Sequence, residues 1–210
     1  MTNTSPDDLR LDVGGIHTLR QADPPASGAR CFGDGDPLYA AYHDTEWGVP
    51  FTDSPDEREL FERLSLEAFQ SGLSWITILR KRDAFRAAFA GFVPEVVATF
   101  DDDDVARHLA DPGIVRNRLK VHATIANAHA LAALHSEGGT LRALLEEHAP
   151  EPGPPPATFA DVPPETPGSR ALTKVLKKRG FAFVGPTTLY STMEAVGIVN
   201  DHLAGCPTRA

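Results

Sequence analysis

Four residues near the two ends of the 210-residue chain could hold a metal ion: Cys31, His43, His202 and Cys206. The second pair reads His-x3-Cys, a spacing that would put both side chains on one side of a helical turn. Two thiolates and two imidazoles satisfy tetrahedral zinc and leave no open position, so such a site is structural and not catalytic. It would tie the entry of the fold to its exit, closing a very long loop. The alternative is two buried free cysteines and two surface histidines. The chain has eight histidines, so a His close to a Cys is no rarity. These are its only two cysteines, and a cytosolic disulfide between them is not expected.

A second chemical feature is the stretch Leu66-Glu67-Ala68-Phe69-Gln70-Ser71-Gly72-Leu73-Ser74-Trp75-Ile76. It places one carboxylate on an otherwise apolar segment, breaks at Gly72, and resumes with a large aromatic. A buried Glu is costly unless something pairs with it. Glu67 therefore either faces solvent on an amphipathic helix or sits in a pocket where a ligand pairs it.

A third is Lys177-Lys178-Arg179-Gly180-Phe181-Ala182-Phe183-Val184-Gly185, followed by Pro186 and Thr187. Two helices joined by a short glycine-bounded turn form a helix-hairpin-helix candidate. Such a turn exposes backbone N–H groups, and the next helix N-terminus adds partial positive charge. Together they can grip one phosphate without reading sequence. A plain helical hairpin packed by Phe181 and Phe183 is the alternative.

These residues need helices to position them. Leu60, Phe61, Leu64 and Ala68 recur at helical steps within 55–69. Further helices are expected over 74–81, 84–90, 101–110, 114–137, 140–148, 169–179 and 186–196. Leu119, Ile125, Leu131 and Leu134 should form the apolar side of the longest. Thr140 and Ser169 should act as N-caps. Residues 149–167 carry eight prolines and read as a connection, not an element. No strand-like alternation persists, so the expectation is all-α.

Residues 1–30 are polar, without a secretory apolar core, and read as a flexible tail of a cytoplasmic protein. No apolar run approaches the ~20 residues a membrane span needs. The net charge of −9 argues against nonspecific coating of nucleic acid. The charge is uneven, however. Residues 167–206 hold five bases against two acids, whereas 31–62 hold nine acids against one base.

Four blocks together resemble the DNA-3-methyladenine glycosylase I family, a zinc-containing branch of the helix-hairpin-helix glycosylases. They are Asp36-Pro37-Leu38-Tyr39-Ala40-Ala41-Tyr42-His43-Asp44-Thr45-Glu46-Trp47-Gly48-Val49-Pro50, Glu67 to Trp75, Lys177 to Gly185, and Asn200-Asp201-His202 to Cys206. The likeness is collinear from about Cys31 to Cys206, leaving a tail at 207–210. It implies an all-α glycosylase domain with one structural zinc on Cys31, His43, His202 and Cys206. It implies catalysis at Glu67, with Tyr42, Trp75, Tyr39 and Ser191 reading an extruded base. Gly72 and Leu73 would enter the gap left in the duplex. Lys177, Lys178, Phe183, Val184, Gly185 and Thr187 would line the phosphate grip. The family carries a Trp shortly after its first zinc Cys; here that stretch is one residue shorter and offers Phe32 as the second pocket aromatic. The expected activity is release of N3-methyladenine from alkylated double-stranded DNA by a monomer, leaving an abasic site. The competing expectations are a non-enzymatic, zinc-stapled DNA-binding module and a glycosylase for other lesions.

Overall fold

The computed structural model describes residues 30–50 and 57–209. The tail reading of 1–30 (Arg30 apart) and the helix start expected at Pro55 lie outside the described residues. Within them the chain is all-helical, with no strand. No helix among them is long and apolar enough to cross a membrane.

Helix α1 (Pro37–Thr45) opens on Asp36, whose carboxylate accepts from the Leu38 and Tyr39 N–H groups. Helix α2 (Glu57–Gln70) is central, and every residue from Leu60 to Gln70 is buried. A helix enclosed on all sides must be apolar or find partners for its polar groups. Arg86 meets Glu62 at 2.8 Å, and Glu46 meets Arg63 at 2.6 Å. Glu67 has no equivalent: its Oε1 is buried without a hydrogen-bond partner.

Helix α3 (Trp75–Ala88) is continuous where the sequence pattern predicts two pieces. The polar run Arg80-Lys81-Arg82-Asp83 suggests a break, but it lies on the outer face. Arg80 pairs with Asp36 and Arg82 with Glu46. A 3-10 turn (Ala90–Phe92) and the short α4 (Pro94–Val97) follow. Helix α5 (Asp102–Ala110) begins on Asp101 and Asp104, which satisfy each other's backbone N–H groups.

Helix α6 (Arg118–Ser136) starts later than expected because Asn117 caps it, accepting from the Lys120 N–H. Leu119 is 68% exposed and does not belong to the apolar side, which Val121, Ala128, Leu131 and Leu134 form instead. Helix α7 (Leu141–Glu147) is capped by Thr140, as expected.

The proline-rich stretch contains a 3-10 turn (Phe159–Asp161) whose Phe159 and Val162 are buried in the core. It is therefore an anchored segment, and not the bare connection its composition suggests. Helix α8 (Pro167–Lys178) is capped by Thr166, not Ser169. Pro167 is preset for the first helical position, and Ser169 completes the reciprocal cap from the third. Helix α9 (Pro186–Ala195) follows the turn. Helices α3, α6, α7 and α9 surround α2, and α8 lies against α9.

Buried Asn127 of α6 holds that turn from below. Its Nδ2 donates to the Ala182 carbonyl at 3.1 Å, and its Oδ1 accepts from the Ala182 N–H at 2.7 Å. Replacing Asn127 with Ala leaves both backbone groups short of a partner. The expected loss is about 2–3 kcal/mol of unfolding free energy. Urea denaturation checks this, and an unchanged midpoint means that the turn is held by other contacts.

Candidate active site and metal centre

The four expected metal ligands converge. All are buried, and Cys31 Sγ, Cys206 Sγ and one nitrogen of each imidazole lie within 4.8 Å of one another. His202 Nδ1 stands 3.6 Å from Cys31 Sγ and 3.5 Å from Cys206 Sγ; His43 Nε2 stands 3.4 Å from Cys206 Sγ. An ion with metal–sulfur bonds of ~2.3 Å and metal–nitrogen bonds of ~2.0–2.1 Å has tetrahedral edges of about 3.6 Å, so the donor set fits one.

The outer ring nitrogens are engaged as a metal site requires. His43 Nδ1 donates to Asp44 at 2.8 Å, and His202 Nε2 donates to the Trp47 carbonyl at 2.8 Å. Each inner nitrogen thus carries a lone pair, which His43 Nε2 here turns to the Cys31 N–H at 3.2 Å. Asp44 is held in turn by the Arg30 guanidinium and by Thr208. Burial pushes the Cys31 thiol up to about 12 and His202 down to about 4, and it also lowers His43. Neutral imidazoles suit a metal, while buried thiolates need its positive charge. At Gly48, with φ +69°, an added Cβ would stand 3.0 Å from the His202 ring. The residues from Asn200 to Cys206 form a turn and not the expected helical one.

The second group gathers under α1. The Tyr42 and Trp75 rings lie 5.2 Å apart. Burial, then the charge of Glu67, raises both the Tyr42 and Tyr39 hydroxyls above their ordinary range, placing Glu67 beside both. Glu67 is 3% exposed, and burial pushes its carboxyl up to about 8. Glu67 Oε1, the Tyr42 hydroxyl and Trp75 Nε1 are all buried without hydrogen-bond partners. Three such atoms on neighbouring side chains mark a site waiting for polar contacts. Tyr39, half-buried, is the member of the set nearest solvent.

Phe32 contacts Tyr39 at 4.8 Å and Trp47 at 5.0 Å, and stands edge-on to His43. It thus bridges the metal cluster and the pocket; among the described ring pairs it does not meet Trp75. Ser191 is buried on α9, with no hydrogen bond to Glu67 or Tyr42 among the described residues. A cleft of about 710 Å³ lies elsewhere, beneath the proline-rich segment and beside Tyr190 and Asp201. There Asp201 accepts from the Tyr190 hydroxyl at 2.7 Å.

Next to the pocket, Gly72 turns at φ +84° with open space around it, and Leu73 packs partly on the core. In the α8–α9 turn Phe183 is 38% exposed at φ +55°, a costly left-handed conformation for that side chain. Among the described residues the Phe183, Val184 and Gly185 N–H groups meet no acceptor. Lys177 and Lys178 are exposed beside them, Thr187 is half-buried, and the Val184 side chain is buried.

The chain matches the methyladenine glycosylase family over residues 32–210. It belongs to that family. The Escherichia coli K12 DNA-3-methyladenine glycosylase 1 is 48% identical over 174 residues, covering 81% of this chain and 91% of that protein. A crystal structure of 3-methyladenine DNA glycosylase I superposes with a TM-score of 0.80 at 47% identity, covering 85% of this chain and 98% of that one. A tyrosine-to-phenylalanine variant solved in complex with 3-methyladenine superposes at 0.79 with 35% identity, covering 85% and 96%.

In this family member several supporting residues escaped the sequence reading. Arg63 stands one turn before Glu67, and Glu46 caps α1. Their ion pair, with Arg82 also on Glu46 at 2.6 Å, walls the pocket with charge. Burial works against ionised Glu46, and the two guanidiniums overrule it, leaving its carboxyl below the ordinary range. The i−4 spacing of Arg63 from Glu67 was the available signal, as was Asp44 directly after His43.

The Glu67 carboxyl has a testable consequence. In the unfolded chain it ionises near 4.5, whereas in the folded protein it holds its proton to about 8. Its contribution to stability is therefore complete below about 4.5 and is lost as pH rises to about 8. Glu67→Gln should remove this slope. The variant should be more stable than the parent at pH 8–9, by on the order of 2 kcal/mol or more, with the gap narrowing towards pH 5. Urea denaturation across pH measures it, and a constant gap refutes it.

Proposed function

We propose that this chain is a monofunctional DNA glycosylase that releases N3-methyladenine from alkylated duplex DNA and leaves an abasic site. The observation that carries the reading is the buried trio of Glu67, Tyr42 and Trp75, each with an unmet polar atom, in a member of this family.

A base within a duplex is out of reach, so it must turn out of the stack; this costs a few kcal/mol, and less for a damaged base. Leu73, presented by the open turn at Gly72, fills the vacancy as an apolar wedge. The α8–α9 turn holds the backbone through its free N–H groups and Lys177 and Lys178. Glu67, Tyr42 and Trp75 are buried in the free protein, so the base would enter by displacing the rim at half-buried Tyr39.

N3-methyladenine is cationic while joined to its sugar. Over the Trp75 face that charge gains roughly 0.5–2 kcal/mol, which neutral adenine lacks. Its arrival also reverses the protonation of Glu67. A carboxyl neutral at pH 7 in the free protein gives up its proton beside a cation and accepts a charge-assisted hydrogen bond. Tyr42 supplies a further polar contact. The base leaves neutral and needs no strong acid. Ionised Glu67 is the pocket group able to take a proton from the attacking water. No lysine belongs to the pocket set, which accords with hydrolysis and not with a covalent amine intermediate.

Cys31, His43, His202 and Cys206 would hold one structural zinc, whose chemistry is to cross-link the two ends of the domain. The chain would work as a cytoplasmic monomer.

Incubation with methylated duplex DNA should free N3-methyladenine, identified by chromatography. Glu67→Gln should slow release by about a hundredfold or more. Trp75→Ala should slow it by about tenfold. Both variants should keep their zinc. A non-enzymatic DNA-binding module frees no base, and a glycosylase of other specificity frees N7-methylguanine or oxidised bases instead. Separately, elemental analysis should find one zinc per chain. Cys206→Ser should lose the metal and melt at lower temperature, and metal-free protein of undiminished stability would reject the clasp.

A further inference from the structure

Lys120 is buried on the first turn of α6. Its Nζ donates to the Phe69 carbonyl at 2.8 Å and to the Ser71 carbonyl at 2.6 Å. Among the described residues no carboxylate pairs with it, and burial lowers its ammonium below the ordinary lysine range. An ammonium buried without a counter-ion is an expensive way to cap a helix, since glycine or water serves at a surface. What it holds is the last turn of α2 and the residue directly before Gly72.

That turn has little stiffness of its own. Gly72 is exposed at φ +84°, its surroundings are open, and glycine resists bending poorly. The backbone hydrogen bond that closes it among the described residues runs from the Leu73 N–H to the Gln70 carbonyl at 2.6 Å. Any group pressed into a duplex at Leu73 would be pushed back by restacking bases. Rigidity has to come from beneath, and Lys120 is the side chain there.

We propose that Lys120 is a positioning residue for duplex insertion: it clamps the base of the Gly72–Leu73 turn so that Leu73 stays in the helical gap. This rests on the glycosylase reading above and names a residue through which the wedge acts.

A double-mutant cycle tests it, with single-turnover release of N3-methyladenine from duplex DNA as the readout. Lys120→Met should slow release by about 10- to 100-fold, the scale of a misplaced positioning group. Leu73→Ala should also slow it. The double variant should be no slower than Leu73→Ala by more than about twofold, because coupled residues do not add. Lys120→Arg, which keeps the donors, should recover part of the rate. Affinity for free 3-methyladenine should stay unchanged in Lys120→Met, since no insertion is needed to bind it. If the two losses multiply, or if free-base affinity falls with the rate, Lys120 is a general structural cap and the proposal fails. If Leu73→Ala alone leaves the duplex rate intact while Glu67→Gln abolishes it, the wedge is wrong and the glycosylase reading survives. Should Lys120→Met fail to fold, Lys120→Gln enters the same cycle with the same outcomes.

Discussion

A carboxyl group enclosed in protein with an oxygen left unmet destabilises the molecule that holds it, and this fold keeps Glu67 in that position. The helix carrying it is covered on every side, so the side chain cannot swing to water. The surrounding groups do not relieve it: the nearby hydroxyl and indole N–H are themselves unmet. The protein settles the conflict by holding a proton, which leaves the pocket neutral at rest. A ligand that brings positive charge turns the unfavourable site into a favourable one. On the proposed reading a neutral base of similar shape would gain much less, and selectivity would follow from the protein's own desolvation and not from a tight outline.

Holding such a site needs a frame that does not yield. One part of it is the Cys31, His43, His202 and Cys206 cluster, which brings α1 against the final segment of the chain. Phe32 meets both Tyr39 and His43, and Trp47 meets Phe32 and both imidazoles, so packed rings join that cluster to the pocket. The other part is ionic. Arg63 and Arg82 share the carboxylate of Glu46, Arg63 also faces Glu59 at 3.7 Å, and it keeps two buried nitrogens without acceptors. This places the Arg63 guanidinium one helical turn from Glu67. It limits how far burial can raise that carboxyl and keeps ionisation within reach when a cation arrives.

Much of this was legible in the sequence where local chemistry dominates. The cap of α7 at Thr140 and the all-helical class follow from short-range rules. So did the metal ligands as residue types, although their meeting depends on a closure that no spacing specifies. Errors arose where tertiary contacts override local pattern. Ser169 looked like a cap because it precedes a helical run, yet Pro167 moves the start and hands the role to Thr166. Leu119 looked like core by type, yet Asn117 sets a phase that turns it outward. The proline-rich stretch hid Phe159 because composition says nothing of where one aromatic points. Asn127 and Lys120 were invisible for another reason. Each acts on backbone groups about fifty residues away, and no local pattern encodes such a pairing.

The charge balance completes the picture. A protein of net charge −9 that works on DNA cannot rely on general attraction. On the proposed reading the features that would turn towards DNA are correspondingly sparse: the N–H groups of the α8–α9 turn that meet no acceptor among the described residues, two exposed lysines, and an apolar leucine on an open glycine turn. None of them carries sequence information, and together they grip any duplex weakly. Residence on undamaged DNA would then be short, with the decisive favourable contact left to the pocket. An enzyme that must scan an excess of normal adenines gains from this division, because the term that lengthens its stay is the same positive charge that defines the lesion.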